Sequence, residues 1–202
     1  MTPRPLPTPS VRSAGIDQRA RTHLNVVEST LRRATRFREV PAWGGVVMGL
    51  VGFAGAGAAT WSESRSQWLA TWLVAAAIAA LIGAAEISER MAQRGAASRA
   101  QFGRFAAALA PSFVATGILT FALANAGLFG WLPSVWLLGY GTALIGAGLV
   151  SLPEVLWMGV TFDLLGLAAL LTPASFGNFW LAAGFGALHV IFGTWIAGGR
   201  RG

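Results

Sequence analysis

From Trp43 onward, apolar residues gather into six runs separated by short polar breaks. The runs are Trp43 to Thr60, Trp68 to Ala85, Phe105 to Asn125, Leu132 to Val150, Val155 to Leu171 and Phe176 to Ala197. Each is near the 17–25 residues that cross about 30 Å of hydrocarbon, so each predicts a membrane-spanning helix. Pro111 lies inside the third run and predicts a kink there, unless neighbouring helices or Ser/Thr groups compensate for its missing donor. The short breaks make consecutive spans antiparallel neighbours.

Ahead of these runs the pattern differs. Residues 1–16, with Pro3, Pro5, Pro7 and Pro9, show no periodicity and read as a disordered tail. Over 17–40, Leu24, Val27, Leu31, Ala34 and Phe37 recur at spacings of three and four, which puts them on one helical stripe. Arg21, Arg32, Arg33 and Arg36 lie mostly off it. The spacing predicts an amphipathic basic helix. It can lie on anionic lipid headgroups through those four arginines, or pack on its own bundle or on a second copy. No short apolar core with a small-residue cleavage site precedes it, so the first span is expected to remain in the mature protein.

Composition turns these elements into a class. Only 11% of the 202 residues are charged, against roughly 25% in a soluble domain. From Phe105 to Gly199, 95 consecutive residues hold two charges, Glu154 and Asp163, too few to coat a water-soluble surface. The expected fold is therefore all-α: a polytopic transmembrane bundle of six spans over 43–197. The chain has no Cys, which removes disulfides, thiolate metal sites and thiol nucleophiles.

The distribution of charge predicts orientation. All 15 basic residues are Arg: eight precede Trp43, four (Arg90, Arg94, Arg99, Arg104) follow the second span and two (Arg200, Arg201) end the chain. Arg65 alone falls on the other side. Fourteen against one predicts both termini in the cytoplasm. The net charge of +7 is thereby explained by topology, and no nucleic-acid recognition motif accompanies it. Trp43, Trp61, Trp68, Trp131 and Trp136 fall near span ends, where indole prefers the interface.

Small residues recur at spacing four: Gly45 and Gly49, Gly52 and Ala56, then Gly139, Ala143 and Ala147. Such stripes let helices approach closely, either within the bundle or at a homodimer face. Ionisable groups inside spans point more directly to a site, since a charge at the bilayer centre costs roughly 2.5–3.5 kcal/mol on the mildest scale. Asp163 and His189 each lie eight residues from the same interface, about 12 Å deep, so adjacent antiparallel spans can bring them together. Ser112, Tyr140 and Thr142 fall in the same cytoplasmic half, on spans three and four. The five form a candidate intramembrane polar site, either a proton-accepting or ligand-binding cluster or a hydrogen-bonded knot between spans five and six. Ser151-Leu152-Pro153-Glu154 reads as a capping box that opens the fifth span, and Glu86, Glu89 and Arg90 read as a solvated face. There is no metal-ligand set, no cofactor motif and no nucleophile elbow, so no catalytic residue is nominated.

Three runs carry a family likeness: Val40-Pro41-Ala42-Trp43-Gly44-Gly45-Val46-Val47-Met48-Gly49, Trp136-Leu137-Leu138-Gly139-Tyr140-Gly141, and Ala182-Ala183-Gly184-Phe185-Gly186-Ala187-Leu188-His189-Val190-Ile191-Phe192-Gly193. Together they resemble an uncharacterised bacterial family of small polytopic membrane proteins, over most of Ser29 to Arg200. The resemblance implies genes beside small winged-helix transcriptional regulators, hence a regulatory or envelope-response setting, and it brings no catalytic residues with it. The leading expectation is a non-enzymatic accessory or regulatory membrane component with a protein partner or as a homodimer. The alternative is a small transporter or channel built on Asp163 and His189.

Overall fold

A computed structural model describes Val40, residues 42–94 and residues 96–199, with side chains left out of account at 94–98 and at 199. The expected tail 1–16 and the amphipathic helix 17–40 fall outside the described residues, Val40 excepted. Among the described residues there is no strand. The helices are α1 (Trp43–Thr60), α2 (Arg65–Arg94), α3 (Ala96–Asn125), α4 (Leu132–Leu149) and α5 (Pro153–Leu170), followed by a composite sixth span. That span runs through α6 (Gly177–Leu181), a π-helical segment (Ala182–Leu188) and α7 (His189–Gly199). Six helices are long and apolar enough to cross a membrane, which makes this an all-α, multi-pass membrane protein.

Two boundaries differ from the sequence reading. α2 continues past Glu86, Glu89 and Arg90, which extend the second helix beyond its span as expected, as far as Arg94, and α3 begins at Ala96, so the basic connection is almost wholly helical. The alanines and arginines there are strong helix formers, and nothing in water requires the helix to stop where the hydrocarbon does. α3 also runs unbroken past Pro111. It ends at Asn125 and is closed off at Gly127, whose φ of 73° suits glycine, where Leu128 N–H reaches the Leu123 carbonyl and Gly127 N–H reaches that of Ala124. Arg65, at the start of α2, donates to the Gly127 carbonyl (3.2 Å), which sets α2 and α3 antiparallel.

Two glycine-mediated pairings organise the bundle. α4 and α5 pack backbone to backbone: a Cβ at Gly159 would stand 2.6 Å from the Gly141 carbonyl oxygen, and one at Gly166 would meet Leu138 at 2.7 Å. α1 lies equally close to the sixth span, where a Cβ at Gly49 would stand 2.7 Å from the Gly186 carbonyl oxygen. The stripe Gly45, Gly49, Gly52 is thus consumed inside the bundle, as are Ala143 and Ala147, both fully buried. Close approach substitutes here for the hydrophobic drive that lipid does not supply.

Two polar readings need correction. Ser151 does not cap α5: the N-cap is Leu152 with no side-chain hydrogen bond, and Ser151 Oγ donates back to the Ala147 carbonyl of α4 (2.7 Å). Pro153 at the first helical position and the acid in the first turn remain as start signals. Nor is Glu86 part of a solvated face. Its Oε2 accepts the Gly44 backbone N–H (2.6 Å) and its Oε1 pairs with Arg90, so a carboxylate of α2 caps α1, whose own N-cap offers no side chain.

Candidate functional site

The sixth span widens into a π-helix where the sequence reads Ala-Ala-Gly-Phe-Gly-Ala-Leu. The small residues permit it, because neighbours press in from both sides. A Cβ at Gly186 would stand 2.7 Å from Phe53 of α1, and one at Gly184 would stand 3.0 Å from the Phe162 ring of α5. π segments interrupt the regular ladder and are frequent at functional sites. This one delivers His189, 5% exposed, into the centre of the bundle.

His189 Nε2 lies 2.8 Å from the Tyr140 hydroxyl of α4, and its Nδ1 lies 3.5 Å from the Gly184 carbonyl. A carbonyl can only accept, so in the neutral ring Nδ1 carries the proton and Nε2 accepts from Tyr140. Aromatic rings surround the pair. Tyr140 stands 4.8 Å from Phe162, 5.2 Å from Phe185 and 6.0 Å from Phe113, centroid to centroid. The imidazole lies 5.5 Å from Phe162 edge to face and 6.1 Å from Phe185, nearly parallel.

Asp163 does not join this pair. Phe162, fully buried, takes the inward position on α5, and the next residue points about 100° round the helix. Asp163 therefore lies against the α4 backbone at Gly141. Its Oδ1 is buried without a hydrogen bond of normal geometry, although the Thr142 amide approaches it. Asp163 and His189 are equally many residues from the ends of their spans, but rotation about α5 separates them. Of the five candidate residues the structure joins Tyr140 and His189. Thr142 is exposed on α4 near Asp163, and Ser112 stands on α3, where its carbonyl accepts from Thr116 (2.7 Å).

The Tyr140–His189 pair forms part of the wall of an apolar groove of about 740 Å³. One side is a small-residue stripe of α2, including Ala75, Ala76, Ala79, Ala80 and Gly83; the other is α3, including Phe102, Ala106, Leu109, Phe113 and Gly117. α2 and α3 are consecutive yet scarcely touch along their length, and no residue in the apolar window of α3 is buried. Leu73 (50% exposed) and Phe113 (44% exposed) stand at the mouth. The groove thus opens sideways, between two membrane-spanning helices.

Indoles and one amide close the end of the groove near the α1–α2 turn. Trp68 and Trp72 both donate Nε1–H to Asn178 Oδ1 (2.7 and 3.2 Å), tying α2 to α6. Trp68 stacks on Trp136 at 5.5 Å, nearly parallel, and Trp136 Nε1–H donates to Thr120 of α3 (2.8 Å). Trp68 and Trp136 are therefore interior struts, whereas Trp43, Trp61 and Trp131 stay exposed at span ends. Asn178 is outside the five residues that the sequence nominates, although an amide in the first turn of an apolar span is itself a signal.

Among the described residues no three of His, Asp and Glu are grouped to hold a metal ion. Compared with known proteins, the chain matches no family model, no curated protein and no solved structure.

Proposed function

We propose that this is a non-enzymatic accessory or regulatory component of the bacterial inner membrane, with both termini in the cytoplasm, that binds a hydrophobic molecule entering sideways from the bilayer. The groove between α2 and α3 carries the reading. It is lined by carbon, is open at bilayer depth, and falls within the 300–1,000 Å³ range of ligand sites. Its polar groups are few and mutually satisfied, which suits holding an apolar body rather than passing an ion. The fourteen-to-one arginine asymmetry supports the orientation, and the family likeness supports a regulatory setting.

The test is the content of the groove. A Cβ at Gly117 meets nothing within 4 Å, so Gly117→Phe fills the space without displacing backbone. Solvent extraction of protein purified in mild detergent, followed by mass spectrometry, should recover a hydrophobic molecule with the wild type and lose it with Gly117→Phe. Equal recovery from both would refute the reading. The same preparation tests the accessory role, for which a stoichiometric protein partner is expected.

A small transporter or channel using Asp163 and His189 is the second reading, favoured by the buried Asp163 oxygen, which the Thr142 amide approaches without a hydrogen bond of normal geometry. Asp163→Asn should abolish proton-coupled flux in vesicles while leaving assembly intact if that reading is correct. Loss of assembly alone would make Asp163 structural.

A further inference from the structure

Resting on the groove reading, the geometry points to one occupant: a single hydrocarbon chain of an anionic bilayer phospholipid, with its headgroup at Arg99. Length comes first. The α2 lining runs from Trp72 to Ile87 and the α3 lining from Phe102 to Thr120, so at 1.5 Å per residue the groove is about 22–27 Å long. An extended hydrocarbon chain lies along a slot of that length, which covers most of the leaflet-to-leaflet hydrocarbon depth.

Charge decides which lipid. Lining positions Phe102, Ala106, Leu109 and Phe113 follow a helical face of α3, and Arg99 continues that face one turn beyond the last of them. Arg99 is exposed and pairs with no acid among the described residues. Across the gap, Glu86 is engaged by Gly44 and Arg90. Glu89 lies two residues past lining Ile87, about 200° round α2 and so away from the groove. A guanidinium one turn beyond the end of an apolar slot, at the level where hydrocarbon gives way to headgroups, complements a headgroup of net negative charge. The far end is shut by Trp72 and Trp136, so the chain enters sideways with its head at the α2–α3 end.

Full-length protein is reconstituted in nanodiscs of equimolar phosphatidylglycerol and phosphatidylcholine, and the lipids it retains are counted by native mass spectrometry. The wild type should keep one lipid, with phosphatidylglycerol favoured about fivefold, the contribution of one arginine near a surface phosphate. Arg99→Gln should keep one lipid and lose the preference. Gly117→Phe, or Ala80→Phe on the opposite wall, should keep none. If Arg99→Gln retains the preference, the headgroup assignment is wrong while the groove reading stands. If both filling variants retain lipid as the wild type does, the groove reading itself fails. A dimer carrying no lipid would assign the groove to a second copy of the chain and overturn the proposal.

Discussion

Tyr140 of α4 donates its phenolic proton to Nε2 of His189 across 2.8 Å, so one hydrogen bond ties the centre of the bundle to the base of the π-helical segment. Within a membrane such bonds average about 0.6 kcal/mol and reach about 1.7, because groups in the unfolded chain also find partners. Tyr140→Phe should lower stability by an amount in that range. A double-mutant cycle with His189→Phe, read by unfolding in detergent, should return most of it as coupling. Additive single effects would mean the bond contributes nothing.

The cap that Glu86 supplies to α1 also sits beside Arg90, so it combines an N-terminal hydrogen bond with a favourable charge at the positive end of the helix dipole. Glu86→Ala should cost about 1 kcal/mol, the usual loss for a missing cap, with Glu86→Gln intermediate. Because the chain is free of Cys, a thiol placed at Val47 reports on α1 alone, and its labelling rate should rise in Glu86→Ala.

Two glycines should respond oppositely to the same chemistry. Gly49→Ala drives a methyl to 2.7 Å from the Gly186 carbonyl oxygen, so α1 must move off the sixth span. Overpacking of this kind costs about 1–3 kcal/mol. Gly117→Ala faces open space and gains helix propensity, about 0.8–1.0 kcal/mol in an α-helix interior. Thermal unfolding should therefore fall for the first variant and hold or rise for the second.

Asn178 accepts from two indoles at once, and Trp72 is 4% exposed. Asn178→Leu strands that buried donor, at a cost of about 1–3 kcal/mol. Asn178→Asp, which retains the acceptor, should recover the wild-type tryptophan emission that Asn178→Leu shifts.

How much of this was legible beforehand depends on the range of the interaction concerned. The span at Trp43–Thr60 is read from hydrophobic length alone, and the packing use of Gly45 and Gly49 from their spacing, because both follow from a helix's own geometry. Depth was legible more coarsely: counting 1.5 Å per residue put Asp163 and His189 at one level, and Tyr140, which does meet His189, only in the same half of the bilayer. Rotation was not. Whether residue 162 or 163 faces inward turns on 100° about α5, and a helix apolar on nearly all sides leaves no stripe to fix it.

By itself, then, the chain's sequence determined an all-α, six-span membrane protein, because the bilayer demands about 20 apolar residues per crossing and a helix satisfies its own backbone. Tertiary structure decided who meets whom. Phe162 takes the inward place and turns Asp163 toward Gly141, Glu86 reaches across 42 residues to cap α1, and α3 stands apart from α2. These outcomes depend on which helix faces can approach closely, and lipid, as apolar as leucine, ranks those faces by shape rather than by hydrophobicity.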